Sequence, residues 1–155
     1  MIVLAFSDSH GTTYSIDAAI AQEPVVNAII FCGDIAKDAD YIRSTYPNIP
    51  LYSVCGNNDF FCTDPFIITP EFDGVKLYIT HGHKERVKAG YYELVSRCHK
   101  YDCSLCVFGH THQTFDEEID GIHMLNPGSI RSSNGTYAKI TISGGDFTTE
   151  IKSVE

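Results

Sequence analysis

The sequence of 155 residues has few basic side chains. It contains 11 Lys and Arg against 20 Asp and Glu, a formal net charge of −9 at pH 7. Proteins that bind long nucleic acids carry basic clusters that neutralise phosphates, and no such cluster is present. We therefore expect no long nucleic acid as a partner. A small anionic substrate, held at a locally positive site, fits the composition better.

Long apolar runs are also missing, since no segment approaches the roughly 20 residues that a membrane-spanning helix needs. The apolar start, Met1–Phe6, lacks a charged leader and reaches Asp8 at once, so we expect no signal peptide. The length suits one domain over residues 1–155. These features predict a cytoplasmic protein without a membrane partner. The oligomeric state cannot be read from the sequence.

The cysteines do not follow the spacing of a disulfide framework. Cys103 and Cys106 form a C-x-x-C pair, but a zinc site would need a second pair of ligands, and the motif enters an apolar run instead of opening a helix. A domain of this size needs no covalent staple. We therefore expect all six cysteines to be reduced: Cys32, Cys55, Cys62, Cys98, Cys103 and Cys106.

Apolar periodicity predicts alternating strands and helices, followed by antiparallel strands. The first part reads as buried strands with helices between them, and the strongest helical stripe covers residues 86–101. The last part has period-two alternation and hairpin turns. Two sheets packed face to face with helices outside would bury both kinds of element. The predicted strands are 2–6, 28–32, 51–55, 66–72, 75–80, 105–108, 114–119, 122–125, 137–142 and 147–151, and the other helices are 13–22 and 38–46.

Five of the apolar runs end at a glycine that is flanked by Asp, Asn or His. In sheets rich in parallel strands, ligands bind beyond the carboxyl ends of the strands. The polar residues at these ends should therefore lie along one edge, and the glycines would let their loops turn sharply and approach each other. The five endings are Asp8-Ser9-His10-Gly11, Gly33-Asp34, Gly56-Asn57-Asn58-Asp59, His81-Gly82-His83 and Gly109-His110-Thr111-His112.

These endings contain the donors of a metal site. Two aspartates, one asparagine and four histidines suit manganese, iron, zinc, cobalt or nickel better than calcium or magnesium, which prefer nearly all-oxygen sites. Seven donors are too many for one tetrahedral ion and fit two ions that share a carboxylate. Each motif alone is also compatible with an ordinary turn, but five of them in one short chain predict a metal centre.

The ordered set of endings resembles the calcineurin-like metallophosphoesterase superfamily. The length and the Asn126-Pro127-Gly128-Ser129 turn are similar to its small YfcE-type phosphodiesterase branch. The resemblance runs from Met1 to about Ile142. It implies an α/β (α+β) fold, a four-layer sandwich of two mixed β-sheets flanked by helices.

The resemblance also implies the metal ligands and the reaction. The protein would be a dinuclear, metal-dependent phosphoric diester hydrolase in which a hydroxide that bridges two divalent ions attacks a small phosphodiester. Manganese is the first choice for both ions. The ligands are Asp8, His10 and His112 for one ion, Asn57, His81 and His110 for the other, and Asp34 as the bridge.

Three residues beside the metal ligands are candidates for supporting roles. Asn58 stands where many members of the superfamily have a histidine that contacts the phosphate; an amide can bind a phosphoryl oxygen but cannot protonate the leaving group. His83 is a candidate for that proton transfer, with a plain surface histidine as the alternative. We expect Asp59 to orient a metal ligand from behind, with a loop cap as its alternative.

The same fold raises a second possibility, because the branch includes the retromer scaffold subunit. A scaffold or protein-interaction module, with or without metal, is therefore the alternative to a hydrolase. The complete set of donors favours the enzyme. The physiological substrate is not written in the sequence.

Overall fold

A computed structural model describes all residues from Met1 to Glu155 and contains three helices and eleven strands. The helices are α1 (Thr13–Ala21), α2 (Ala36–Thr45) and α3 (Tyr92–Lys100). The strands are β1 (Ile2–Phe6), β2 (Ala28–Phe31), β3 (Leu51–Ser53), β4 (Ile67–Ile68), β5 (Glu71–Phe72), β6 (Val75–Thr80), β7 (Leu105–Val107), β8 (Thr114–Ile119), β9 (Ile122–Pro127), β10 (Thr136–Ser143) and β11 (Asp146–Ser153).

The strands form two mixed sheets. The first has the order β11-β10-β1-β2-β3, in which β1, β2 and β3 are parallel and the other pairs are antiparallel. The second has the order β4-β6-β7-β9-β8, with β6, β7 and β9 parallel, and β5 also pairs with β6. The predicted donors follow the ends of β1, β2, β3, β6 and β7, all of them parallel strands of the two sheets.

Three apolar clusters hold the layers together. The central cluster lies between the sheets, with Val3 and Ile30 from the first facing Leu77 and Val107 from the second. A second cluster joins the outer face of the first sheet to α1 and α2, and a third joins the second sheet to α3. The predicted four-layer sandwich of two mixed sheets flanked by helices is confirmed. None of the helices is long and apolar enough to cross a membrane.

The predicted helix over residues 86–101 is wrong in its first part. Only Tyr92–Lys100 is helical, and residues 83–89 form turns. Arg86 and Gly90 have φ angles of 53° and 140°, which a right-handed helix does not accommodate. Val87 still packs into the same apolar cluster as the helix, so its apolar side chain made the stripe look longer than the helix is.

The prediction that every cysteine is reduced is also wrong. Cys55 and Cys62 form a disulfide that closes the loop after β3, while the other four cysteines are free and buried. The pair is separated by seven positions. Their spacing matches no familiar framework, so the bond could not be predicted from the positions of the cysteines.

A buried carboxylate ties the carboxyl-terminal strands to the end of α1. The side chain of Glu23 is 1% exposed and accepts hydrogen bonds from Lys139, Lys152 and the Tyr137 hydroxyl. Burial alone would raise the pKa of Glu23, but these hydrogen bonds outweigh it and lower the pKa. The ionised form therefore stabilises the fold, and this contribution is lost as the pH falls through the lowered value.

We expect Glu23→Gln to lower the free energy of unfolding by about 2 kcal/mol at neutral pH, because two lysines lose their buried partner. Denaturant unfolding measures the difference. Glu118→Gln, on an exposed position of β8, is the matched control and should change little. The difference in the free energy of unfolding between Glu23→Gln and the native chain should become smaller as the pH falls below the ordinary glutamate pKa of 4.5. A difference that does not depend on pH would contradict this account.

Candidate metal centre

The carboxyl ends of five parallel strands meet at one place. Asp8 follows β1, Asp34 follows β2 and Asn57 follows β3, while His81 and His110 follow β6 and β7 of the second sheet. The amide of Asp8 donates to the Gly33 carbonyl at 3.0 Å and that of Gly109 donates to the His81 carbonyl, also at 3.0 Å. Backbone bonds of this kind fix the loops next to one another. All seven predicted ligands come together at this meeting of the two sheets.

One group of donors consists of Asp8, His10 and His112. The Nε2 atom of His112 lies 3.2 Å from Asp8 Oδ1, and the Nε2 atoms of the two histidines are 3.3 Å apart. One ligand atom from each of the three residues lies within 4.8 Å of the other two. Three such donors at these separations suit one divalent ion.

The second group consists of Asn57, His81 and His110. His81 Nε2 lies 2.9 Å from Asn57 Oδ1 and 3.1 Å from His110 Nδ1. Burial, together with nearby His81 and Lys88, lowers the pKa of His110 to about 4. At neutral pH this imidazole is therefore uncharged and offers a lone pair, the state in which histidine binds a metal.

Asp34 lies between the two groups. Its Oδ2 is 3.5 Å from His10 Nε2 in the first group, and its Oδ1 is 3.8 Å from His81 Nε2 in the second. Asn58 donates to both oxygens, from its backbone amide to Oδ1 at 3.1 Å and from its side chain to Oδ2 at 2.7 Å. Burial alone would raise the pKa of Asp34, but these bonds and His81 outweigh it and lower the pKa.

The Asp8 carboxylate has an oxygen that the protein leaves without a hydrogen bond. Its Oδ2 accepts from the Ser7 hydroxyl at 2.6 Å and from the His110 amide at 3.0 Å. Its Oδ1 is buried and has no partner, although it lies 3.2 Å from His112 Nε2 and 4.0 Å from His81 Nε2. A buried carboxylate oxygen without a donor is costly unless a cation compensates it. The residues therefore fit a divalent ion at this point.

The backbone at the site is held in an unfavourable conformation. Four of the candidate ligands have left-handed φ angles: Asp8 (54°), His10 (49°), His110 (71°) and His112 (61°). A non-glycine residue in this region costs of order 1 kcal/mol or more and persists only where its surroundings enforce it. Such strain concentrates at functional sites.

Glycines allow the loops to approach closely. A Cβ atom on Gly56 would lie 2.7 Å from the Asp34 Cα atom, and one on Gly109 would lie 1.8 Å from the Ser7 hydroxyl oxygen. Gly33 combines a φ of 86° with a similar contact, 2.8 Å, to the Gly56 nitrogen. The prediction that the glycines bring neighbouring loops together is confirmed.

Some supporting groups were not identified from the sequence. His81 Nδ1 lies 2.7 Å from the Cys32 carbonyl oxygen, which fixes the ring and leaves Nε2 facing the other donors. The Asn126 side chain donates to the Gly109 carbonyl and the Thr111 hydroxyl. The role of the Cys32 carbonyl could not be predicted, because every residue has a backbone carbonyl. Asn126 could have been predicted as a supporting residue, because it belongs to the Asn-Pro-Gly-Ser turn that the family resemblance includes.

Asp59 does not touch a ligand side chain. Its Oδ1 accepts from the Ala36 amide and its Oδ2 from the Gly56 amide, each at 2.7 Å. We expected Asp59 to orient a metal ligand from behind; the contacts that it makes are those of the alternative, a loop cap. It ties the loop of Asn57 to the start of α2, just after Asp34.

His83 lies beside the second group of donors. Its ring centroid is 5.5 Å from that of His81 and 5.8 Å from that of Phe66, and its Nδ1 is buried without a partner. Burial, helped by His81 and Lys84, lowers the pKa of His83. The neutral ring is thus favoured at pH 7, and His83 is not a plain surface histidine.

Comparison with known proteins places the site in context. The sequence profile of the calcineurin-like phosphoesterase superfamily domain matches residues 1–145. The probable metallophosphoesterase YsnB of Bacillus subtilis is 33% identical over 135 residues, which cover 84% of this chain and 76% of that protein. Phosphodiesterase MJ0936 of Methanocaldococcus jannaschii is 29% identical over 144 residues, covering 79% and 80% respectively.

A solved structure also shares the fold. Wild-type Vps29 of Entamoeba histolytica, crystallised in complex with zinc, superposes with a TM-score of 0.74 at 17% identity, and the match covers 100% of each chain. At this identity the likeness shows the fold alone.

We expect Gly109→Ala to lower the free energy of unfolding by about 2 kcal/mol or more, because the added Cβ atom would overlap the Ser7 hydroxyl. It should also weaken manganese binding, since the same methyl group presses on the Asp8 carboxylate, 2.9 Å away. Gly144→Ala is the control: it has a φ of 58° but open space around it, so it should show the backbone cost with unchanged metal affinity. Calorimetric titration with Mn²⁺ checks this, and equal affinities in the two variants would contradict it.

Proposed function

The chain belongs to the calcineurin-like phosphoesterase superfamily, and we propose that it is a phosphodiesterase that uses two divalent metal ions to hydrolyse small phosphodiesters. In this proposal residues 1–155 form one catalytic domain.

The observation that carries the proposal is the position of Asp34. Its two carboxylate oxygens face different groups of donors, one towards His10 and the other towards His81. A carboxylate so placed can bind two ions at once, whereas a single-ion site has no use for the second group. The unpaired Asp8 Oδ1 supports a cation at the same point.

The residues of each group have assigned roles in this proposal. Asp8, His10 and His112 would hold one ion, and Asn57, His81 and His110 the other, with Asp34 shared. When bound, the ions would activate a water molecule as nucleophile and neutralise charge on the phosphoryl oxygens. The neutral imidazole of His110 and the carbonyl bond of His81 prepare these ligands without a prior loss of protons. Manganese is the first choice for both ions, with iron, zinc, cobalt or nickel as alternatives.

Asn58 and His83 would act on the substrate side. Asn58 already donates one hydrogen bond from its side-chain amide to Asp34; its second N–H remains available for a phosphoryl oxygen. His83 is the one histidine beside the second group that is not assigned to an ion. We propose that it donates a hydrogen bond or a proton to the leaving oxygen. Its lowered pKa favours the neutral ring, which still carries one N–H to donate to that oxygen. Poor leaving groups need such a donor most, so their esters should depend on His83 most.

The net charge of the chain bears on its substrate, and the state of its cysteines bears on its cellular compartment. A net charge of −9 disfavours long nucleic acids, so the proposed partner is a small phosphodiester. A cytoplasmic location is part of the proposal and is supported by four free, buried cysteines. The Cys55–Cys62 disulfide is an argument against it, because such bonds are uncommon in that compartment.

The alternative is a scaffold of the same fold. Vps29, which has the same fold, was crystallised with zinc, and the scaffold alternative includes a form with bound metal. Bound metal alone therefore does not separate a hydrolase from a scaffold. Left-handed strain at four donors and an unpaired carboxylate favour an enzyme, because neither is needed to present a binding surface. Turnover is therefore the deciding measurement.

We expect the manganese-loaded protein to hydrolyse bis(4-nitrophenyl) phosphate, and Asp34→Asn to reduce kcat by at least about 10³-fold and the bound metal by about half, because an amide bridges two ions poorly. Release of 4-nitrophenolate and elemental analysis measure the two effects. Asp146→Asn, on an exposed position of β11, is the control. No turnover with any divalent ion would favour the scaffold, and a fully active Asp34→Asn would exclude the bridge.

We expect His83→Gln to reduce kcat for phenyl phosphodiesters by about 10²-fold and for 4-nitrophenyl esters by much less, because phenolate is the poorer leaving group and 4-nitrophenolate leaves without a proton. Steady-state kinetics with methyl phenyl phosphate and methyl 4-nitrophenyl phosphate compares the two classes. His99→Gln, which removes a half-exposed histidine of α3, serves as the control. Equal losses on both substrates would show that His83 does not assist the leaving group.

A further inference from the structure

The loop between Cys55 and Cys62 is fastened on both sides. The disulfide joins its ends, and Asp59 binds the amides of Gly56 and Ala36 from within it. Such a cross-linked loop has few conformations to lose when something binds to it. It is therefore a preorganised segment beside the metal centre.

This fastened loop carries two exposed aromatic side chains. Phe60 is 87% exposed and Phe61 is 97% exposed. Neither ring belongs to an apolar cluster of the fold, so the folded state gains nothing from them. Two adjacent phenylalanines in water at a site edge are unusual, because exposed apolar patches generally mark contact surfaces.

The two rings line a groove that shares Asn58 with the metal centre. The groove has a volume of about 440 Å³ and its other walls include Ile35, Lys37 and Asn58. Asn58 is the contact between the two regions, since its side chain donates to Asp34 Oδ2 at 2.7 Å. A substrate whose phosphate lies at the metal centre would thus have its ester arm directed along the phenylalanines.

We propose that Phe60 and Phe61 form a stacking surface for a flat aromatic ring on one ester arm of the substrate, a nucleobase being the representative case. The inference rests on the proposed function, which places the phosphate at the metal centre. Ring faces stack on phenylalanine, and Lys37 together with the groove carboxylate of Asp40 offers polar partners to a ring edge.

The size of the groove favours a small ligand over a protein partner. A specific protein interface covers about 800 Å² on each side, whereas this patch consists of two side chains around a groove of small-molecule dimensions. A heterocycle of one or two rings matches that space. The polar groups at its rim would disfavour a purely aliphatic arm.

Binding of adenosine 5′-monophosphate and ribose 5-phosphate to the manganese-loaded protein tests the proposal, because the two ligands differ only by the base. By calorimetric titration we expect the nucleotide to bind about tenfold more tightly. The double variant Phe60→Ala, Phe61→Ala should reduce this ratio to about twofold or less while leaving the Kd of ribose 5-phosphate unchanged. Both residues are exposed, so the variant should fold normally. Tyr92→Ala, which removes an aromatic ring that is 89% exposed on α3, is the matched control.

The outcomes separate this inference from the proposed function. Equal binding of the two ligands, or a ratio that the double variant keeps, would overturn the stacking surface even if the protein hydrolyses bis(4-nitrophenyl) phosphate. A base preference that depends on the phenylalanines would support the surface even if turnover is absent, in which case the hydrolase assignment alone fails. A ratio that Tyr92→Ala lowers equally would also overturn the proposal, because the effect would not belong to the groove.

Discussion

Two buried carboxylates facing a cluster of imidazoles are the constraint around which this protein is organised. Asp8 and Asp34 are 0% and 2% exposed, and one oxygen of Asp8 has no hydrogen-bond partner. Isolated buried anions are unfavourable unless positive charge compensates them. Asp34 is stabilised by two hydrogen bonds from Asn58, whereas Asp8 Oδ1 has no donor and would be compensated by a bound cation. The site is therefore suited to bind cations, because the chain places no lysine or arginine against these carboxylates.

The architecture divides the work between sheets and loops. The parallel strands of two packed sheets bring their carboxyl ends to one edge, and the central apolar cluster holds the two sheets against each other. The loops then supply the donors, and their close approach depends on glycines whose missing side chains make room for Asp34 and Ser7. The Asp59 carboxylate, which accepts from the Ala36 and Gly56 amides, and the contact between His81 and the Cys32 carbonyl fix the final positions of the loops. Rigid sheets with adjustable loops allow a family to retain its metal centre while the surrounding surface varies.

Much of this arrangement follows from the sequence, because a buried strand ending in glycine and a donor is a local signal that fold topology then gathers at one edge. Asp8, Asp34 and His81 were found in this way. The missed features have no such local signal. The disulfide depends on how a loop folds back, the Cys32 carbonyl is a backbone atom, and one of the two partners of Asp59, Ala36, lies at the start of α2, 23 positions away. The late start of α3 reflects φ angles at Arg86 and Gly90, which an apolar stripe cannot reveal.

The left-handed backbone at four candidate ligands also limits how the centre can evolve. Asp, Asn and His are the non-glycine residues that adopt this region most readily, and three of the positions hold His and one holds Asp. An exchange among these types alters the ligand chemistry at little conformational cost. A β-branched residue at the same place would meet a steric penalty. The backbone thus favours residues with oxygen and nitrogen donors at these four positions, and a centre built on other residue types would require different loops.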